Sequence, residues 1–120
     1  MGRYIAFKSN ETKQTLLTYR AGSYPNSPGK FLEEALSLKY DDDVLYDIHT
    51  FRNETFSEIN TEIDRVKAEI SLELIKRDFE NHNFLDLVET YEELLEIRGG
   101  LRTIVELFET HRNELLISYG

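Results

Sequence analysis

Apolar residues between positions 55 and 79 recur at alternating steps of three and four residues. The members of this seam are Phe56, Ile59, Ile63, Val66 and Ile70. A spacing that averages about 3.5 residues places side chains on one side of an α-helix, so the segment from Thr55 to Phe79 is predicted to be a long helix. Thr55 and Glu58 have the spacing of a capping box, which predicts that the helix begins there, and Asn53 is an alternative cap.

Two shorter helical patterns follow, and we expect them to pack against the seam of the long helix. They run from Phe84 to Ile97 and from Leu101 to Ile117. Gly99 and Gly100 lie between them, and a glycine just past the last turn is typical of a helix C-terminus. The pattern therefore predicts a three-helix bundle. The alternative keeps both glycines inside a single helix, at a cost of roughly 1 kcal/mol each relative to Ala.

The first twenty residues show the two-residue period of β-strands. Side chains alternate from Arg3 to Lys8, and a second β-rich run extends from Gln14 to Arg20 after a short polar loop. The two runs predict an antiparallel hairpin. The next segment, Ala21 to Lys30, contains two prolines and two glycines and is predicted to be a loop. We interpret it as a structural crossover, and the alternative is a binding rim with an exposed Tyr24.

A short helix and a third strand are predicted between this loop and the long helix. Ser27 is placed to be an N-cap with Pro28 at the first helical position. Beyond the short helix, one set of side chains alternates with another, namely Val44, Tyr46 and Ile48 with Leu45, Asp47 and His49. This two-residue period favours a strand over the alternative, a helical turn that continues into the long helix. If the second and third strands are parallel, their connection is right-handed.

These elements predict an α+β fold in a single domain that spans residues 1–120. Residues 1–52 are expected to form a small antiparallel or mixed sheet of two or three strands with one helix. Residues 53–120 are expected to form the three-helix bundle, led by the long helix. A chain of 120 residues is long enough to bury one core of its own.

The N-terminal third combines a hairpin with a particular set of loop residues. These are Met1, Gly2 and Arg3, followed by Tyr19, Arg20, Gly22, Tyr24, Pro25, Gly29 and Leu32. The combination resembles a group of small bacterial and phage proteins of no known activity, in which a hairpin is followed by a Gly-Tyr-Pro loop and a helix. That group usually has an Asp before the Gly-Tyr-Pro step, where this chain has Ala21, and here Ser23 interrupts the step. The resemblance implies the order strand, strand, loop, helix and carries no function.

The net charge of the chain indicates which classes of partner the protein can bind. The chain carries 23 acids against 14 bases, a net charge of −9. Such a surface repels nucleic-acid backbones and anionic membranes. No apolar run is long enough to span a membrane, and Met1 to Asn10 lacks a long apolar segment, so we expect no secretory signal. The chain has no cysteine, which excludes disulfides and cysteine-ligated metals. We expect a cytoplasmic protein that binds neither nucleic acid nor membrane directly.

The most informative charge pattern lies in the segment from Asn83 to Ile97, which has five acids and no Lys or Arg. The acids are Asp86, Glu89, Glu92, Glu93 and Glu96. Like charges four residues apart destabilise a helix by about 0.2–0.5 kcal/mol per pair. A helix that tolerates them is stabilised by packing of its other face, so we expect these acids to meet a basic surface on a partner protein. Tyr24 is a further candidate contact. The alternative is a solubilising surface, partly neutralised by bases on adjoining helices.

No catalytic, cofactor or metal site is predicted. His49, His82 and His111 lack the spacing of a helical di-iron site or of a zinc protease motif. The acids at positions 41–43 and 47 lack the glycine and the distal glutamate of an EF-hand loop. No serine or threonine lies in a nucleophile motif. We therefore expect a protein without enzymatic activity and without a cofactor.

Together, these patterns favour a non-enzymatic acidic module that docks on a basic surface of another protein. An inhibitor of a nucleic-acid enzyme, an immunity protein or a phage counter-defence protein would suit such a surface, because charge complementarity speeds association. The alternative hypothesis is a homo-oligomeric structural or assembly protein, in the simplest case a homodimer, that uses the heptad-like seam.

Overall fold

The computed structural model describes residues 3–22, 27–76 and 82–120, with only the backbone described at positions 82 and 83. The strands are β1 (Arg3–Lys8), β2 (Thr15–Ala21), β3 (Asp43–Asp47) and β4 (Glu114–Tyr119). The helices are α1 (Pro28–Ala35), α2 (Ile48–Lys76) and α3 (His82–Thr110). The fold is α+β, as the sequence predicts.

The four strands form one antiparallel sheet in the order β2-β1-β4-β3. Ile5 in the centre pairs with Tyr19 on one side and with Tyr119 on the other. The hairpin and the third strand are confirmed. The prediction of two or three strands is one strand short, because β4 lies between β1 and β3. β2 and β3 lie at opposite edges and run antiparallel to each other, so the handedness rule for parallel strands does not apply to their connection.

The predicted third helix, from Leu101 to Ile117, is wrong in its second half. Helix α3 ends at Thr110, and the chain then turns through Arg112 and Asn113, whose φ angles are 59° and 63°. The last residues form β4, in which alternate side chains, Leu115, Ile117 and Tyr119, are buried. A two-residue period in this segment, together with pairing partners on both sides, explains why a strand forms there.

Gly99 and Gly100 lie inside α3, so the alternative with a single helix is the correct one. The C-terminal half therefore contains a hairpin of two long helices and not a three-helix bundle. A Cβ atom at Gly100 would lie 3.3 Å from the Tyr19 hydroxyl, so this glycine lets α3 approach β2 closely. A Cβ atom at Gly99 would meet nothing within 4 Å.

Helix α2 begins at Ile48, seven residues before the predicted capping box. Its first turn is capped by Asp47, whose carboxylate accepts hydrogen bonds from the backbone N–H and the hydroxyl of Thr50. Thr55 is fully buried inside the helix, and its hydroxyl donates to the Phe51 carbonyl at 2.7 Å. The capping box at Thr55 and Glu58 is therefore wrong.

The apolar seam of α2 is confirmed, and it is buried within the chain. Ile59, Ile63 and Val66 are at most 3% exposed, and α2 packs along α3. Nearer the sheet, the Phe51 ring lies 5.0 Å from that of Phe108 and 6.3 Å from that of Phe7, measured between centroids. These contacts join the helices to the sheet in one core.

Helix α1 begins as predicted. Ser27 accepts a hydrogen bond from the backbone N–H of Lys30 at 3.2 Å, and Pro28 occupies the first helical position. A Cβ atom at Gly29 would collide with the Arg20 carbonyl oxygen, so the start of α1 lies directly on the end of β2. None of the helices in the described part of the chain has the length and apolarity to cross a membrane.

The long helices reach well past the sheet. At about 1.5 Å per residue, each 29-residue helix is roughly 43 Å long, whereas a six-residue strand spans about 20 Å. The chain accordingly measures 55 × 31 × 18 Å. We call residues 60–76 of α2 and 82–98 of α3 the distal arm. The acidic segment singled out in the sequence lies in this arm.

Candidate partner-binding face

The acids of α3 form one face of the distal arm. Glu89, Glu92 and Glu96 are separated by steps of three and four residues, which places them in a single line along the helix. Asp86 and Glu93 flank this line. We call the five residues the acidic face. The opposite side of α3 carries buried apolar residues, Leu94, Ile97, Leu101, Ile104 and Phe108. Core packing on that side is what holds the acids in place.

Four of the five acids are exposed to solvent. Asp86, Glu89, Glu92 and Glu96 are exposed, and Glu93 is half-buried. In the part of the chain that the structure describes, none of the four exposed carboxylates forms an ion pair. The sixth candidate contact, Tyr24, lies outside the described residues.

Two bases on α2, Arg65 and Lys76, pair with acids of the same helix. Arg65 contacts the carboxylates of Glu62 at 2.9 Å and Glu69 at 2.8 Å, and these contacts raise its pKa. Lys76 lies 3.8 Å from Glu73. Since these pairs are three and four residues apart, they form within α2 at little cost. Arg65 and Lys76 therefore form no ion pair with Asp86, Glu89, Glu92 or Glu96.

Two further bases, Arg98 and Arg112, also contact groups outside the acidic face. The Arg98 guanidinium donates to the side-chain oxygen of Asn60 at 3.3 Å. Arg112 lies 3.1 Å from Glu11 in the β1–β2 loop. The neutralising contacts that a purely solubilising surface would show are therefore absent for Asp86, Glu89, Glu92 and Glu96 among the described residues.

A groove between α2 and α3 borders the acidic face near the end of the arm. Its volume is about 350 Å³, and Asp86 lines it together with Glu69, Glu73 and Lys76. The side chain of Glu73 is only 16% exposed because it lies within this groove. The groove is open and carries both signs of charge. It extends the polar surface of the acidic face across to α2.

The end of the arm exposes four large apolar side chains to solvent. Leu72, Leu74, Ile75 and Leu85 are 56%, 48%, 78% and 63% exposed. Ile75 lies about 180° around the helix from the middle of the buried stretch that contains Ile63 and Val66. Leu85 precedes Glu89 by four residues and lies in the acidic line. Leu72 and Ile75 lie off the seam of α2, and this position is the sequence signal for their exposure.

The other residues considered for chemistry have structural roles or stand alone. A ring nitrogen of His111 lies 2.9 Å from the Leu107 carbonyl at the end of α3, and His49 is exposed. Asp43 accepts a hydrogen bond from Ser118, and Asp47 caps α2. Across residues 3–22, 27–76 and 82–120, no three or more His, Asp or Glu side chains are grouped to hold a metal ion. The side chain of His82 lies outside the described part.

Comparison of the chain with protein-family models, with curated proteins and with solved structures finds no match. We therefore infer the function from the geometry of the acidic face alone.

Proposed function

We propose that this protein is a non-enzymatic binding module whose acidic face docks on a basic surface of another protein. The observation that supports the proposal is the exposed line of Glu89, Glu92 and Glu96, with no ion pair to a described base. Like charges three and four residues apart on a helix destabilise it. Lysine and arginine side chains of a partner would convert this repulsion into attraction.

An apolar contact accompanies the charge. Leu85 is 63% exposed and continues the line of Glu89 toward the end of the arm. Interfaces commonly combine an apolar centre with a polar rim. In such an arrangement the carboxylates would speed the encounter, whereas burial of Leu85 would slow dissociation.

The dimensions of the face indicate the class of partner. From Asp86 to Glu96 the carboxylates extend over roughly 15 Å of helix. A row of negative charges of this length suits a surface that normally binds a phosphate backbone. The roles that fit best are an inhibitor of a nucleic-acid enzyme, an immunity protein or a phage counter-defence protein in the cytoplasm.

The homo-oligomeric alternative would need a surface other than the seam. Ile59, Ile63 and Val66 are buried within the chain and offer nothing to a second copy. The acidic faces of two copies would repel each other. Both observations favour a basic partner over self-association through the helices.

The test uses a charge reversal and a matched control. The test variant carries Glu89→Lys, Glu92→Lys and Glu96→Lys. The control carries Glu34→Lys, Asp42→Lys and Asp64→Lys, three exposed acids elsewhere on the chain that form no ion pair among the described residues. Both variants change the net charge by the same amount, so a non-specific charge effect would act on both.

Candidate partners are captured from a lysate of the source organism on immobilised wild type, purified, and measured by calorimetry at two salt concentrations. The test variant should weaken binding at least tenfold, since three rim charges each worth about 0.2–1 kcal/mol are reversed. The control should bind within about twofold of wild type. Equal binding by the wild type and the test variant would remove the acidic face from the interface, and with it the proposal.

A further inference from the structure

The four-stranded sheet is covered by helices on one face only. Ile5, Phe7 and Ile117 point to the helices and are fully buried. The alternate side chains point the other way, and among them Tyr4 is 47% and Leu45 50% exposed. We call this second side the open sheet face. No helix in the described part of the chain packs on it.

The centre of the open sheet face is made of small side chains. Ala6 pairs with Thr18 on β2 and with Ser118 on β4. One row further along, Leu116 pairs with Leu45, so an apolar pair borders the small centre. A second β-sheet can approach such a surface closely, because sheets pack at about 10 Å when their facing side chains fit.

Charge is divided between the two halves of this face. The β2–β1 half carries Arg20 and Lys8, and neither base forms an ion pair among the described residues. The β4–β3 half carries Asp43, and Asp41 lies just before β3. The face is therefore complementary to itself after a half-turn.

We propose that the open sheet face is the interface of a homodimer, with a two-fold axis parallel to the strands between β1 and β4. This operation places β1 on β4 of the second copy, so that Ala6 meets Ser118 and Tyr4 lies over Gly120. It also places β2 on β3 of the second copy, where Arg20 reaches Asp41 and Asp43. The interface is isologous, since each contact occurs twice.

The size of the face sets the strength of the dimer. Four strands spaced about 4.8 Å apart and about 20 Å long give a footprint of roughly 400 Å² on each copy. Side-chain relief increases the accessible area that is buried, which brings the total to the region of 1,000 Å², the lower limit for specific interfaces. The dimer should therefore dissociate on dilution in the micromolar range.

The dimer uses a surface separate from the acidic face, and it is independent of the proposed partner. Each copy would present its own acidic face outward. The variant with Glu89→Lys, Glu92→Lys and Glu96→Lys should therefore dimerise as the wild type does. A failure of one proposal leaves the other intact.

Sedimentation velocity of the full chain from about 5 to 500 μM tests the proposal. Wild type should pass from monomer to dimer over this range. Ala6→Arg places a large charge at the centre of the face and should weaken dimerisation at least tenfold. Thr61→Arg, on an exposed position of α2, is the control and should dimerise as wild type does. Circular dichroism verifies that both variants are folded.

A charge exchange gives a second test that does not depend on Ala6. Arg20→Glu and Asp43→Arg should each weaken self-association at least tenfold, and an equal mixture of the two variants should dimerise again, because both contacts are then attractive. A wild type that stays monomeric to 500 μM would overturn the proposal. So would an Ala6→Arg variant as dimeric as wild type, or a dimer that is lost on Ile75→Glu at the end of the arm.

Discussion

The carboxylate of Asp47 accepts a hydrogen bond from the backbone N–H of Thr50 at 2.8 Å and another from its hydroxyl at 3.0 Å. Asp47 ends β3, and the next residue begins α2. The chain therefore passes from strand to helix without a loop, and one side chain caps the helix. These two hydrogen bonds hold the pKa of Asp47 below its usual range.

The cap predicts a loss of stability in acid. A carboxyl whose pKa is lowered by folding stabilises the fold at pH values above the unfolded pKa, about 3.9, and this contribution is lost as the pH falls through the folded pKa. Asp47→Ala should lower the midpoint of urea denaturation at pH 7. Its difference from wild type should shrink between pH 5 and pH 2. A difference that is constant with pH would show that the carboxylate charge is not involved.

The buried hydroxyl of Tyr46 leads us to expect the opposite pH dependence, with stability lost at alkaline pH. Its hydroxyl donates to the Leu36 carbonyl at 3.2 Å, and burial, with a further contribution from the nearby Glu54 carboxylate, raises its pKa to about 12. The unfolded tyrosine ionises near pH 10, so the fold is stabilised below that pH and loses this contribution as the pH rises from 10 to 12.

Tyr46→Phe should cost about 1 kcal/mol at pH 7, because a net hydrogen bond is lost and the Leu36 carbonyl loses its partner. Between pH 10 and pH 12 the stability of the variant should fall less steeply than that of wild type. Tyr40→Phe is the control, since Tyr40 is 61% exposed. If both variants have the same alkaline profile as wild type, the assigned role of the Tyr46 hydroxyl is wrong.

The sequence predicted the elements whose signal is local. The alternation from Arg3 to Lys8, the Ser27 cap and the seam from Ile59 to Val66 each depend on near neighbours in the chain, and each is found in the structure. The error at Thr55 has a local cause as well, since Asp47, eight residues earlier, caps the helix through its hydrogen bonds with Thr50.

The parts that the sequence analysis missed depend on distant contacts. Leu115 and Leu116 fit a helical stripe as well as a strand. The segment forms a strand because it pairs with β1 on one side and with β3 on the other. Gly100 disfavours a helix locally, but it lets α3 approach Tyr19. Of the candidate site, the exposure of Glu89, Glu92 and Glu96 could be expected from their spacing. The exposure of Leu85 could not be expected from the sequence, because it depends on which elements pack at the end of the distal arm.

The contact between Phe51 and Phe108 predicts where stability is concentrated. Both rings are fully buried, with centroids 5.0 Å apart, at the point where the two long helices meet the sheet. Phe108→Ala should cost about 3–5 kcal/mol, since it removes a large core side chain and leaves a cavity. Ile75→Ala, at a position that is 78% exposed, should stay within about 0.5 kcal/mol of wild type.

Urea denaturation followed by circular dichroism measures both variants. A large loss for Ile75→Ala would mean that this side chain is covered, for example in an oligomer. The measurement is therefore repeated at two protein concentrations, because a stability that rises with concentration reports association.

Substitution by alanine is expected to change the free energy of unfolding in opposite directions at Gly29 and at Gly99. Gly29 lies in the first turn of α1, where a Cβ atom would collide with the backbone carbonyl of Arg20. Backbone atoms of a strand cannot turn aside as the end of a side chain can, so Gly29→Ala must separate α1 from β2, at a cost of about 1–3 kcal/mol.

Gly99 lies in the middle of α3 with nothing near its missing Cβ atom. Gly99→Ala should therefore stabilise the chain by about 0.5–1 kcal/mol, because alanine loses less conformational freedom in a helix. The free energies of unfolding of both variants and of wild type, measured by urea denaturation, decide the matter. Destabilisation by Gly99→Ala would indicate that another surface lies against this side of α3, next to the acidic face, where the described residues of the single chain make no contact.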